Sequence, residues 1–283
     1  LLNTSSRTGG AAVAAVRLLR ALRKQGVSVQ MCVLHKEREE DWIETVEKGR
    51  CSHLLNRIRF YWERAVIFLH NHFNRSQLFR VSIANTGTDI SRLPCVREAD
   101  VIHLHWINQG FLSLNDIKQL AALGKPIVWT MHDMWPSTGI CHHARDCQSF
   151  HQMCGSCFYL DSHADKDLST QIYQKKQQIY KKADLSFVGC SNWIAALAKK
   201  SGLLRGKRVV DIPNPIDTKL FRPADKSKCR KDLSLPQDKR LILFGALNVT
   251  DERKGVNYLL KALPLLKQPV ELVVFGQVKS EIH

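Results

Sequence analysis

Short apolar runs alternate with helical stretches along most of this 283-residue chain, and this alternation constrains the fold more than any other feature of the sequence. Residues 1–3 look like the end of a strand, residues 11–25 form a helix with alanines and leucines at core spacing, and residues 27–34 follow as a second strand. A strand–helix–strand unit predicts parallel pairing, because the helix returns the chain to the same end of the sheet. The expected fold class is therefore α/β.

Five more runs have the length and composition of buried strands, at residues 79–83, 100–106, 126–131, 185–190 and 209–212. With the first two they give about seven strands before Pro213, and one doubly wound parallel sheet uses them all. Ser191 stands where the N-cap of a helix beginning near Trp193 belongs. Residues 1–222 are therefore predicted to form a first domain.

The composition changes after Pro213. Residues 214–238 are rich in proline, lysine and aspartate, which is typical of a linker with a short helical segment. A second unit follows, with strands over 241–246 and 270–275 and a helix from about Gly255. Two strands and one helix cannot cover both faces of a sheet, so residues 223–283 are predicted to be a linker and the start of an incomplete second domain. We expect the natural polypeptide to continue past His283.

The charge balance points to an anionic partner. There are 42 lysines and arginines against 26 aspartates and glutamates, so the net charge is +16, which suits nucleic acid, phosphates or a membrane surface. No helix-turn-helix, RNP-type or zinc-finger spacing is present, which argues against nucleic acid. No apolar run approaches the roughly 18 residues of a transmembrane helix, and no leader peptide is visible. Nine cysteines, an odd number, favour a reducing compartment.

Two predicted strand-to-helix turns are suited to phosphate. Gly9 and Gly10 lie in the first, where a missing Cβ lets a ligand approach and the free N–H groups of a helix N-terminus attract anions. Arg253 and Lys254 lie in the second, just before a helix, where they can clamp a diphosphate. The alternatives are a plain tight turn and a solvated charged loop.

Histidines mark the ends of two predicted strands. His103 and His105 alternate along one strand, and His132 and Asp133 follow directly after another. Ligands of open α/β sheets collect at the carboxyl ends of the strands, so the His132–Asp133 pair is well placed to bind a sugar hydroxyl or a phosphate. The alternative is that the histidines satisfy buried backbone groups, which we favour for His103.

Four cysteines fall within 17 residues: Cys141, Cys147, Cys154 and Cys157. The last pair has a spacing typical of zinc knuckles, and four thiolates match tetrahedral zinc, which predicts a structural zinc site. His142, His143 or His151 could replace one of these ligands. Free thiols and a labile disulfide are the alternatives.

Residues 50–80 concentrate aromatic side chains and arginines. One apolar helical face is predicted from spacings of three and four residues: Leu54, Ile58, Trp62, Ala65, Leu69 and Phe73. The arginines lie elsewhere around the helix. We favour a helix packed on the domain by this face, with a solvated basic side. The alternative is a helix that lies on an anionic membrane.

Several motifs, in this order, resemble those of the retaining family 4 glycosyltransferases of the GT-B fold. They are TGGAA, ADVIHLHW, KPIVWTMHDMWPSTGICH with the cysteines after it, CSNWIA, IPNPIDTKLFRP, and FGA followed by DERKG. The similarity covers nearly the whole chain. It is closest to the bacterial enzymes of capsule, colanic-acid-like and lipopolysaccharide assembly.

The resemblance implies two Rossmann-like domains, the first mainly for the acceptor and the second for a UDP- or GDP-sugar donor. By this analogy Gly9 and Gly10 approach the donor phosphates, and Arg253 belongs to the donor side with Lys254, which neutralises the leaving diphosphate. His132, with Asp133, lies beside the transferred sugar, and His105 and Trp106 fall on the acceptor side. No protein nucleophile is expected. Acceptors of this kind are commonly lipid-diphosphate-linked sugars, so a cytoplasmic enzyme at the inner face of the membrane is expected.

The sequence departs from the family in two places. Ala246 replaces the usual arginine after the first glycine of the second domain, and the glutamate pair that holds the donor would lie beyond His283. We therefore expect the 283-residue chain to be inactive alone. The competing hypothesis is a basic, non-catalytic module that binds nucleic acid, an anionic membrane or a lipid-linked acceptor.

Overall fold

The computed structural model describes residues 1–162 and 164–277 and divides the chain into two compact units, Leu1–Ile216 and a second that begins at Asp217. The strands are β1 (Leu2–Ser5), β2 (Met31–His35), β3 (Ile43–Thr45), β4 (Ile102–Leu104), β5 (Ile127–Met131), β6 (Leu185–Gly189), β7 (Arg208–Asp211), β8 (Arg240–Asn248) and β9 (Val270–Gln277). The helices are α1 (Gly10–Lys24), α2 (Arg50–His70), α3 (Pro94–Arg97), α4 (Leu114–Ala121), α5 (Leu168–Lys182), α6 (Asn192–Lys200), α7 (Lys226–Asp232) and α8 (Val256–Ala262).

The first unit is built on one sheet of seven parallel strands in the order β3-β2-β1-β4-β5-β6-β7. Leu2 of β1 pairs with Cys32 on one side and with Leu104 on the other. The chain therefore builds the sheet outward from β1 in one direction and then, from β4, in the other. The place where the direction changes is where open α/β sheets bind their ligands. The predicted α/β class is confirmed.

Among the described residues, seven strands precede Pro213 as predicted, but one of them is a different segment. Val81, in the predicted strand 79–83, forms an isolated antiparallel bridge with Cys141 and takes no place in the sheet. The seventh strand is β3, which pairs in parallel with β2. Three residues, one of them a glutamate, are too few to show the alternation that identifies a strand.

Both faces of the sheet are buried, as a parallel sheet requires. Along β2, Met31 and Val33 pack against α1, whereas the alternate residues Cys32 and Leu34 belong to the larger core on the other face. That core includes Trp129 of β5, whose ring centroid lies 6.1 Å from that of Phe187 and whose Nε1 donates to the His105 carbonyl at 3.0 Å. This packing fixes the ends of β4 and β5 relative to each other.

A helix, α2, forms in the predicted region, but it packs by the opposite side from the one we favoured. Its buried residues are Asn56, Glu63, Arg64 and Ile67. The face predicted to pack is exposed along its whole length: Leu54, Ile58, Trp62, Ala65, Leu69 and Phe73. The interpretation that this face covers the domain is wrong. Among the described helices, α2 included, none is both long and apolar enough to cross a bilayer.

The second unit contains a small parallel sheet of β8 and β9 with α8 between them, close to the predicted bounds. Val249 and Val256 are buried, whereas Leu247 and Tyr258 are 72% and 79% exposed. Helix α7 lies in the segment predicted to be a linker with a short helix.

Candidate functional site

A cavity of about 720 Å³ opens at the carboxyl edge of the large sheet. It is lined by residues that follow or end six of its seven strands: Asn3, Thr4, Ser5, Thr8, Gly9, Gly10, Ala11, Ala12, His35, Glu37, Trp106, Gln109, His132, Asp133, Cys190 and Asn214. The structure therefore brings together five of the predicted site residues, Gly9, Gly10, Trp106, His132 and Asp133.

Hydrogen bonds between β1 and the segment after β4 hold the floor of this cavity. The buried Asn3 accepts the backbone N–H of Trp106 on its Oδ1 at 2.9 Å. The Thr4 hydroxyl lies 2.9 Å from the Asn108 carbonyl, to which it donates. These contacts join residues more than a hundred positions apart in the sequence. They connect β1 to the segment after β4, where the order of the strands in the sheet changes direction.

The turn before α1 leaves open space in front of a helix N-terminus. Gly9 has φ +94°, a left-handed conformation that favours glycine, and among the described residues nothing lies within 4 Å of a Cβ built on Gly9 or Gly10. Gly9 is the N-cap and offers no side chain to the first-turn N–H groups of the 15-residue α1. These groups and the helix dipole face the cavity and suit an anionic ligand.

Glu37, which the sequence analysis missed, braces this turn. Its Oε1 accepts the Thr8 hydroxyl at 2.7 Å, its Oε2 accepts the Thr8 backbone N–H at 3.1 Å, and the Ser5 hydroxyl also donates to it. Burial raises the pKa of Glu37, but the hydrogen bonds from Ser5 and Thr8 outweigh burial and leave the pKa below its usual value. Its position two residues after β2, at the ligand edge of the sheet, was the available sequence signal.

Three imidazole rings form a stack beneath the cavity. The ring centroids of His103 and His105 are 4.5 Å apart, those of His105 and His132 are 5.2 Å apart, and His105 Nδ1 lies 2.9 Å from His132 Nε2. Burial lowers the pKa of His132 to about 4 and that of His103 to about 3, and it also lowers that of His105. His105 is only 3% exposed, so it lies behind His132 and outside the cavity lining.

The stack predicts which nitrogen of each ring carries the proton. His105 Nε2 is buried and has no hydrogen-bond partner among the described residues, and an unpaired buried N–H costs more than an unpaired acceptor. We therefore expect His105 to donate its Nδ1–H to His132 Nε2, which leaves the proton of His132 on Nδ1. Long-range ¹H–¹⁵N NMR measures both tautomers. Protonation of His105 on Nε2 would contradict this assignment, and His105→Phe should change the tautomer ratio of His132.

Three donors surround the Asp133 carboxylate. Trp106 Nε1 donates to Oδ2 at 2.8 Å, His142 Nδ1 lies 2.7 Å from Oδ2, and the Trp135 backbone N–H donates to Oδ1 at 2.9 Å. Burial raises the pKa of Asp133, but His142 and the other donors outweigh burial and leave the pKa below its usual value, so the carboxylate stays ionised. Trp106 is thereby fixed in the cavity wall.

The four clustered cysteines line one small apolar cavity with Phe150 and Phe158. Burial raises the pKa of the thiols of Cys141 and Cys157 to about 12 and that of Cys154 to about 11. In residues 1–162 and 164–277 no group of three or more His, Cys, Asp or Glu side chains is arranged to hold a metal ion. The expected zinc site, with Cys147 as its fourth ligand, is therefore not supported.

Arg253 and Lys254 belong to the second unit, in a short 3-10 turn before α8. Arg253 Nε donates to Asp251 Oδ1 at 3.0 Å, and Lys254 is exposed. Asp251 also caps the turn by accepting the Arg253 backbone N–H. The lysine therefore stands at a strand-to-helix turn, as predicted.

The first unit is a doubly wound parallel sheet with a cavity where the strand order changes direction, and a second parallel unit follows it. This is the architecture of a GT-B glycosyltransferase. A sequence model of Glycosyltransferase Family 4 matches residues 8–220, which is most of the chain. The chain belongs to this family. Comparison with curated proteins finds no significant match.

Solved structures similar to this chain include a HepE protein and a sucrose-phosphate synthase. Anabaena HepE in complex with UDP has 13% sequence identity and a TM-score of 0.49, and the match covers 98% of this chain. Sucrose-phosphate synthase from Thermosynechococcus elongatus has 16% identity and a TM-score of 0.49 over 97% of this chain. The chain spans 60% of the length of that HepE chain and 58% of the synthase.

Proposed function

We propose that the protein transfers a sugar from a nucleotide-sugar donor to a saccharide acceptor with retention of the anomeric configuration. The family assignment supports the transferase class. The 720 Å³ cavity, which lies where the strand order changes direction, supports the location of the site. The open turn at Gly9 and Gly10 supports binding of the donor phosphates, because the first-turn N–H groups of α1 stabilise the charge that grows on the leaving diphosphate. Lys254, with Arg253, would supply cationic stabilisation from the donor side.

Both carboxylates among the residues that line the cavity accept hydrogen bonds from their neighbours. Asp133 is held by Trp106, His142 and Trp135, and Glu37 is held by Ser5 and Thr8. From the resemblance to retaining family members, the proposed transfer uses no protein nucleophile. His132 is neutral at pH 7, so it can exchange hydrogen bonds with a sugar hydroxyl, and Asp133 acts as a positioning residue for the cavity wall.

The biological setting is proposed from the charge and the resemblance together. A net charge of +16 suits a lipid-diphosphate-linked acceptor and the anionic inner leaflet, so we place the protein in the cytoplasm at the membrane surface, in cell-surface polysaccharide assembly of the capsule or lipopolysaccharide type. We also propose that the 283-residue chain does not turn over donor by itself.

Transfer is tested with UDP- and GDP-sugars on the 283-residue chain and, in parallel, on the complete open reading frame. His132→Ala in the active form should lower the rate about 100-fold, because one polar group beside the reacting sugar is lost. His151→Gln, outside the cavity, is the matched control and should keep full activity. NMR of the product reports its anomeric configuration. Inversion would overturn retention, and no transfer by the complete reading frame would overturn the proposed function.

A further inference from the structure

Helix α2 carries a continuous apolar surface that faces solvent. The α2 apolar face consists of six side chains that are each between 46% and 59% exposed: Leu54, Leu55, Ile58, Tyr61, Trp62 and Leu69. At 3.6 residues per turn these positions fall within an arc of about 120°. Phe73, just beyond the helix, is 66% exposed and lies edge-on against Phe68. Single exposed apolar residues need no explanation, but a contiguous patch of this kind marks an interaction surface.

The opposite side of α2 is fixed to the domain by hydrogen bonds between its buried, paired Glu63 and Arg64 and residues 78–84, so the helix cannot turn its apolar face inward. Glu63 Oε1 accepts the Ser82 hydroxyl at 2.6 Å and the backbone N–H groups of Ile83 at 2.7 Å and Ala84 at 2.8 Å. Arg64 Nη2 donates to Glu63 Oε2 at 2.6 Å. The exposed face is therefore a built feature of the fold.

Basic side chains border the apolar face. Arg50 and Arg57 are exposed and lie within about 40° of the edge formed by Tyr61. Tyr61 and Trp62 combine apolar rings with polar tips, which suits the boundary between headgroups and acyl chains. An apolar stripe with aromatic residues and flanking arginines complements an anionic lipid surface in both hydrophobicity and charge.

We propose that the α2 apolar face docks the protein on an anionic phospholipid bilayer, with the six side chains inserted and Arg50 and Arg57 on the headgroups. The helix lies in the plane of the interface and does not span it. Its buried side packs against the loop of the cavity residue Gln109, since a Cβ built on Gly110 would lie 3.4 Å from the Phe60 backbone nitrogen. Docking therefore places the membrane near one wall of the cavity. Lipid binding does not depend on the proposed transfer activity.

Vesicle co-sedimentation of the 283-residue chain tests this, with vesicles of phosphatidylcholine alone and with added phosphatidylglycerol. The wild type should sediment with the anionic vesicles. Ile58→Ser with Trp62→Ser should lower the partition coefficient at least tenfold, because inserted apolar area is lost. Arg50→Gln with Arg57→Gln should lower it by about tenfold on anionic vesicles and remove most of the preference for them.

The matched control removes equally exposed apolar side chains elsewhere in the first unit. Val101→Ser with Trp193→Ser, at positions 50% and 57% exposed, should bind as the wild type does. Circular dichroism verifies that all variants are folded. Failure of the wild type to bind anionic vesicles would overturn the proposal, and so would equal binding by all variants. Concentration-dependent dimers abolished by Ile58→Ser with Trp62→Ser, without vesicle binding, would assign the face to a second copy of the chain.

Discussion

Acidification from pH 7.5 to 5.0 is expected to lower the free energy of unfolding of the first unit by several kcal/mol. Burial lowers the pKa of His103 to about 3 and that of His132 to about 4, and it lowers that of His105 as well. In the unfolded chain these imidazoles take up protons as the pH falls through about 6.5. The folded protein does not, so each ring costs about 2 kcal/mol of stability between pH 6.5 and 5.0.

The sign of this effect follows from the lowered pKa values: the stabilisation is fully present above pH 6.5 and is lost as the pH falls towards the folded-state values. Urea unfolding followed by tryptophan fluorescence measures it in the first unit, because all six tryptophans precede Asp217. His103→Gln should reduce the loss by about 2 kcal/mol, since one titrating ring is removed.

Thr130→Val is the matched control for His103→Gln. It removes the hydroxyl that lies 2.8 Å from His103 Nε2 but keeps all three imidazoles, so the full pH dependence should remain. A free energy of unfolding that is constant between pH 7.5 and 5.0 would contradict the burial of three neutral rings. Equal pH dependence in the wild type and in His103→Gln would show that His103 takes no part.

Rules that act along the sequence predicted most strands of the sheet and five residues of the cavity lining. The carboxyl ends of parallel strands meet at one edge, which is sufficient to bring Gly9, Trp106 and His132 together. Glu37 and the burial of His105 were missed for a different reason. The role of Glu37 depends on where the chain after β2 meets Thr8, and the placement of His105 depends on the His132 ring above it. Neither contact leaves a periodic pattern.

The wrong prediction of which side of α2 is buried also results from contacts between segments that are distant in the sequence. The spacing of Leu54, Ile58 and Trp62 correctly defined an apolar face, but periodicity does not state which side of a helix is buried. Here Glu63 and Arg64 form the buried side because each satisfies the charge of the other, and backbone groups of residues 78–84 form further hydrogen bonds with them. Charged residues are counted as solvent-facing unless such partners are known.

Glu63→Ala is therefore expected to lower the free energy of unfolding by about 3–5 kcal/mol, because it leaves the buried Arg64 guanidinium without its counter-charge. It also removes the acceptor of the Ile83 and Ala84 backbone N–H groups. Urea unfolding at pH 7.5 measures the change. Glu63→Gln keeps an acceptor for these N–H groups but not the charge, so its loss should be smaller and should isolate the ion pair.

Glu39→Ala is the matched control, since Glu39 pairs with Lys36 but its side chain is 92% exposed, and a change within about 1 kcal/mol is expected there. Glu63→Gln combined with Arg64→Met should recover part of the stability lost in Glu63→Gln, because no unpaired charge remains buried. A loss below about 1 kcal/mol in Glu63→Ala would mean that Glu63 and its buried contacts do not hold α2 in place. The outward orientation of the α2 apolar face would then need another cause, since the hydrogen bonds of Glu63 and Arg64 to residues 78–84 connect the opposite side of the helix to the domain.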